Sequence, residues 1–261
     1  MLAQYLRSLR RVVFGLLALS LAVGTRPALA SENLFTPDKA QACVVLLHGL
    51  WRSAWSMKAV EWELSSAGYQ VINSSYPSES FPIKELANMA VSGGVESCRE
   101  QGFSRIHFVT HSLGGILVRA YLAQRTIPEL HRVVMLGPPN QGSQFADYVG
   151  TLTLLRPLAP RLIYQLGTGE QSVPLQLGPV SFQLGVIAGT ANYRSFLPGV
   201  PDEPGDGTVT VAETYVPGMQ DLLKLPVSHS FMMWDDAVLQ QVLYFLRNGM
   251  FERTPAKPGV P

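Results

Sequence analysis

The sequence predicts an α/β fold: a mostly parallel sheet flanked by helices, with a helical cap inserted in the second half. Two observations carry this expectation. Short apolar runs rich in β-branched residues or Leu alternate with helical patterns, and such alternation implies parallel strands joined by right-handed crossovers. Several runs are almost continuously apolar, which suits strands buried on both faces. With 261 residues and 47% hydrophobic content, the chain can build the core of one large domain. Only 15% of residues are charged, which argues against disorder, and the formal charge of +1 leaves no basic footprint for nucleic acid.

The first element is a leader. Arg7, Arg10 and Arg11 precede the apolar run Val12 to Val23, and Ala28-Leu29-Ala30 forms a small-x-small cleavage site. This pattern predicts a signal peptide over residues 1–30 and an exported, periplasmic or extracellular, domain over 31–261. The 14 residues between Arg11 and Arg26 are short of the ~20 that a spanning helix needs.

Five strands are predicted next: "CVVLLHG" (43–49), "YQVINSSYP" (69–77), "RIHFVTHS" (105–112), "RVVMLGPP" (132–139) and "FQLGVIAGT" (182–190). A helical pattern with Trp55, Ala59 and Trp62 on one face follows the first strand and stops at Gly68. A second places Ile83, Leu86, Met89 and Ala90 together and stops at Gly102. "LGGILVRAYLAQR" follows the third strand, and "FMMWDDAVLQQVLYFLRNG" closes the fold. Residues 142–181 break the rhythm, with four Pro among Leu-rich stretches. A connection of that length is too long for a plain loop and reads as a cap of short helices. The last residues, "TPAKPGVP", read as a frayed tail.

An exported chain can hold a disulfide. If the first and third strands are parallel neighbours, Cys43 and Cys98 both lie near their N-terminal edge and can pair; the alternative is two buried free thiols.

The chemistry centres on "FVTHSLGGIL" (108–117), where a strand reaches Ser112 and leaves as a helix. Glycines behind a serine at such a corner let backbones approach and expose Oγ above the sheet. The usual pattern is G-x-S-x-G; here Thr110 replaces the first Gly and adds a β-branch at a crowded place. The other use for Ser112 is a helix N-cap. A serine hydroxyl needs a histidine base oriented by a carboxylate. Of five His, His107 lies inside a strand pattern, His131 precedes a strand at a surface loop, and His111 is a wall of the site. His229 in "KLPVSHSFMMW" sits where open α/β sheets place their sites. The acid falls between Ser and His. Asp147 lies early in the cap, and Asp221 precedes the last strand at the wrong edge. Asp206 in "PGDGTVTV" is preferred over Asp202, because its turn exposes N–H groups that hold a carboxylate ionised. The N–H of Leu113 is one oxyanion donor and the N–H of Leu50, after the Gly49 turn, the other. His48 braces that turn.

"VVLLHGLWRSAWSM", "HFVTHSLGGILVRAYL", "MLGPPNQGS", "GDGTV" and "SHSFMM" together resemble α/β-hydrolases of the bacterial lipase and esterase group. The resemblance covers most of residues 43–245 and is weakest over 142–181. It implies the α/β-hydrolase fold, with Ser112 as nucleophile, Asp206 as acid, His229 as base and Leu50 as first oxyanion donor. The implied reaction is hydrolysis of a carboxylic ester through an acyl-enzyme, without cofactor or metal. Asp235 and Asp236 lie in a helix-like run without spaced oxygen ligands and read as surface acids. The expected partner is a small ester or a lipid, not nucleic acid. A small apolar pocket favours short esters, whereas a mobile Leu-rich lid favours lipids and transient contact with a lipid interface. A thioesterase or amidase using the same triad, and a non-catalytic binding protein on the hydrolase fold, are the alternatives.

Overall fold

The computed structural model describes residues 42–152, 162–193 and 203–253. The leader expected at 1–30, part of the expected cap (153–161), Asp202 and the Pro-rich tail fall outside them.

Six parallel strands form one sheet in the order β2-β1-β3-β4-β5-β6. They are β1 (Ala42–Leu47), β2 (Gln70–Ser74), β3 (Arg105–His111), β4 (Leu130–Leu136), β5 (Gln183–Gly189) and β6 (Asp221–Leu225). The chain runs from β1 outward to β2, then returns across β1 to β3 and proceeds the other way. That reversal opens a crevice beyond the C-terminal ends of β1 and β3, where sheets of this type bind ligands.

Strand alternation sorts the core into two layers. Val45, Leu47 and Phe108 face helices α2 (Ile83–Glu100) and α3 (Leu113–Leu122). Val44, Leu46 and Val109 face α1 (Lys58–Ser66) and α8 (Asp236–Asn248). Side chains on a strand point alternately to either face, so one continuous apolar run feeds both layers. Each fully buried Leu or Phe contributes roughly 1.5–3 kcal/mol.

Two helical faces differ from the sequence expectation. Ala59 is buried as expected, but Trp55 and Trp62 are exposed, and Val60 and Leu64 are buried in their place. Residues Ala54–Met57 form a 3-10 turn, so Trp55 is out of phase with the helix that begins at Lys58. On α2 the buried stripe runs through Ile83, Leu86, Ala87, Ala90 and Val91, and leaves Met89 exposed beside it. His131 is also displaced from its expected loop: it lies within β4, with its ring against His107 at 5.0 Å. β4 begins two residues earlier than the apolar pattern showed.

Between β4 and β5 the described residues form α4 (Gln144–Thr151), α5 (Leu162–Leu166) and α6 (Val173–Gln176). Ser143 caps α4 and Ser172 caps α6. Arg119, buried on α3, holds this region down: its guanidinium donates to Asn140 O and Oδ1, Pro174 O and Gly178 O at 2.8–3.1 Å. Burial without a carboxylate partner lowers its pKa to about 10. Asp147 lies in α4 and accepts from Thr168 N and Oγ1, so it serves the packing of this segment.

At the N-terminal ends of the strands, Cys43 on β1 and Cys98 on α2 form a disulfide, with Cα atoms 5.9 Å apart. It closes a separation of 55 residues, worth about 4 kcal/mol by the loop-entropy argument.

Candidate active site

The corner at Ser112 has the geometry of a strained elbow. Ser112 has φ 52° and ψ −119°, and Trp51 at φ 56° is the other non-glycine residue with positive φ among the described residues. Such conformations cost about 1–3 kcal/mol each and persist only when surrounding contacts enforce them. Here Ser112 N donates to Leu136 O at 2.9 Å, and Gly115 N donates to Ser112 O at 3.1 Å. A Cβ at Gly114 would lie 2.6 Å from Leu47 O, so only glycine lets α3 start this close to β1. Thr110 is accommodated in full burial, and its hydroxyl has no hydrogen-bond partner among the described residues.

Asp206 and His229 come from two loops that meet over β5. His229 Nδ1 is 2.7 Å from Asp206 Oδ2, and His229 N donates to Asp206 O at 3.0 Å. The other carboxylate oxygen, Oδ1, accepts from Thr208 N at 3.0 Å and Val209 N at 2.8 Å. Asp206 is thus buried with acceptor positions filled by N–H donors. A carboxylate can only accept, so His229 carries its proton on Nδ1 and presents Nε2 as the free base. Among the described residues no hydrogen bond links Ser112 Oγ to the His229 ring; both line one cavity, and such contacts often tighten only around substrate.

That cavity has a volume of about 280 Å³. Its apolar wall is built by Leu50, Phe145, Ala146, Ile163, Leu166 and Val209, and His111 and Arg52 lie at the polar side. Leu50 follows β1 in the turn beside Ser112, and Leu113 is the first residue of α3. Neither backbone N–H has a hydrogen-bond partner among the described residues. His48 is fully buried in the same turn. Its Nδ1 lies 2.9 Å from Gly49 O, its ring stacks on Tyr76 at 4.0 Å, and Tyr76 Oη donates to His48 O. Burial lowers the His48 pKa and raises that of Tyr76.

The remaining sequence candidates sit elsewhere. Asp221 starts β6 at the far edge of the sheet and pairs with Arg253. Asp235 caps α8 through Val238 N at 3.1 Å. Among the described residues no group of three or more His, Cys, Asp or Glu could hold a metal.

Three supporting residues escaped the sequence reading. Glu213, in the short helix α7 (Val211–Thr214), is buried, accepts from Thr210 N and Gln144 N at 2.7 Å, and so ties the Asp206 loop to α4. Desolvation raises its pKa. Tyr76 braces the turn after β1, and Arg119 clamps the segment over α3. Arg119 alone had a visible signal, as a charge inside the apolar run "LGGILVRAYL".

The parallel sheet, its reversal at β1 and β3, and a serine corner facing a His–Asp pair define a hydrolase-type α/β fold. Residues 44–250 match the alpha/beta hydrolase family, and the chain belongs to it. No curated protein sequence matches the chain. Among solved structures, the mature lipase BlEst2 of Bacillus licheniformis aligns with TM-score 0.63 at 17% identity, over 81% of this chain and 94% of that one. A metagenomic carboxyl esterase aligns with TM-score 0.60 at 20% identity, over 73% of this chain and 65% of that one. An extracellular alpha/beta-hydrolase from a Paenibacillus species aligns with TM-score 0.50 at 14% identity, over 79% and 98%. At these identities the likeness is one of fold.

Proposed function

We propose that this protein is an exported serine hydrolase of carboxylic esters. The observation that carries the reading is the convergence on one apolar cavity of a serine at a positive-φ elbow and a histidine held by a buried carboxylate. In this reading His229 Nε2 takes the proton of Ser112 as Oγ attacks the ester carbonyl. The free N–H groups of Leu50 and Leu113 stabilise the oxyanion, and losing one such donor costs on the order of 10²–10³ in kcat. Asp206 keeps the His229 tautomer and stabilises the imidazolium. His229 then protonates the leaving alcohol, and water releases the acyl group by the same route in reverse. No cofactor enters these steps. The apolar wall of Phe145, Ala146, Ile163 and Leu166 supports an acyl chain or another apolar group as the bound portion, so the partner is a small ester or a lipid.

The test is hydrolysis of p-nitrophenyl esters from acetate to palmitate by the mature protein and by Ser112→Ala. The expected result is loss of at least ~10³-fold activity in the variant and a chain-length optimum in the parent. Equal rates in both proteins, or turnover only of matched thioesters or amides, would sink the ester assignment.

A further inference from the structure

His111 stands next to Ser112 in the chain, yet its ring is committed elsewhere. Its Nε2 lies 3.0 Å from the backbone carbonyl of His229, a contact across 118 residues of sequence. A carbonyl oxygen only accepts, so Nε2 bears the proton and Nδ1 is left with a lone pair. Nδ1 is buried without a partner among the described residues. It faces Gly49, where a Cβ would come within 2.8 Å of it. The ring therefore occupies the space between the turn after β1 and the loop that carries His229, with ring centroids of His111 and His229 4.7 Å apart.

We propose that His111 is a positioning residue that, as a neutral imidazole with its proton on Nε2, pins the His229 carbonyl and sets the catalytic histidine over Ser112. This rests on the ester-hydrolase reading above. His229 is held by Asp206 through its N–H and its Nδ1; His111 supplies the contact to its C=O and stops the peptide plane from rotating. The charged and titratable groups facing His111 are His229 from the base loop and His48 and Arg52 from the turn after β1. All are cationic or become so on protonation, and burial opposes a charge on His111 further. His111 thus stays neutral while the neighbouring imidazolium forms and disappears. It adds no second positive charge to that step.

The test compares His111→Gln, His111→Asn and His111→Leu in the mature protein. The Gln amide nitrogen reaches the place of Nε2, whereas that of Asn reaches only Nδ1. Active sites are counted by burst release of p-nitrophenol from a p-nitrophenyl phosphonate, so that misfolded protein does not count. The expected result is a kcat per site within about threefold of the parent for Gln. Asn and Leu lose roughly 10–100-fold with KM little changed, as a base misplaced by about 1 Å would. In ¹⁵N-histidine spectra of the parent, His111 shows the neutral Nε2–H form from pH 5 to 9. Equal kcat for Gln and Asn, or an imidazolium or Nδ1–H form of His111, overturns the proposal even if esters are hydrolysed. If Leu fails to fold, the Gln–Asn pair decides. A parent that neither turns over esters nor reacts with the phosphonate overturns the hydrolase reading, and the positioning role with it.

Discussion

His107 and His111 lie on the same face of β3, near its two ends, and both are buried. Desolvation is the largest cause of a lowered pKa at each, to about 3 for His107. Their surroundings differ. His107, toward the N-terminal end, packs edge-on against Tyr69 and His131, near Arg105 and Arg132. His111, at the C-terminal end, bonds the main chain of His229 and borders the cavity. Burial and a shifted pKa are therefore no mark of function by themselves. Position on the strand separates the two histidines, because in a parallel sheet the turns that leave the strands gather at the C-terminal edge, where such sheets bind ligands, and the turns that enter the strands gather at the other. The same division applies to covalent and strained features. The disulfide lies toward the N-terminal edge, and the positive-φ residues Trp51 and Ser112 at the C-terminal edge.

This division predicts that substitutions at one edge change rate and those at the other change stability. The largest effect is expected from Asp206→Asn, which keeps the shape but not the charge that holds the His229 tautomer. Its kcat on the preferred ester should fall on the order of 10³–10⁴-fold, with the thermal midpoint within a few degrees of the parent. A variant as fast as the parent would break the comparison at the site edge. At the other edge, replacing Cys43 and Cys98 together by Ala should cost about 4 kcal/mol in denaturant unfolding, while kcat per titrated site stays the same. A loss of kcat per site without a loss of stability would show that the two edges are coupled.

A smaller, pH-dependent effect sharpens the comparison within β3. His107 is neutral in the folded protein, whereas the unfolded chain takes up its proton below about pH 6.5. Unfolding therefore binds a proton, and the folded state loses stability as the pH falls from about 6.5 toward 3. At pH 5 the cost reaches about 2 kcal/mol. In His107→Gln the stability measured by urea unfolding between pH 7 and pH 5 should decline less steeply than in the parent, with kcat unaffected. An unchanged slope would show that His107 contributes nothing to acid sensitivity.

Much of the architecture was legible because its signals are local. Continuous runs such as "CVVLLHG" needed two-sided burial, and that burial exists in full along β1. "THSLGG" predicted a corner because glycines directly behind a serine have few other uses, and φ 52° at Ser112 matches that corner. "GDGTV" predicted N–H donors to Asp206, and Thr208 and Val209 supply them. Trp55 is exposed because the 3-10 turn, invisible to periodicity, shifts its phase, and Trp62 because the buried stripe of α1 centres on Val60 and Leu64. The place of His131 within β4 is not legible in the sequence, because a polar strand start carries no apolar pattern.

By itself the sequence determined the class of fold, the order of its strands and helices along the chain, and the choice of a serine and a histidine that line one cavity with an aspartate bonded to that histidine. These follow from short-range rules: side-chain period, turn chemistry and residue type. Only the tertiary structure decided that β1 lies between β2 and β3, that Cys43 meets Cys98, and that His111 reaches the carbonyl of His229. Those are contacts between segments far apart in the chain. Their partners are selected by packing and by the need of buried polar groups for a hydrogen bond, and no local pattern records that choice.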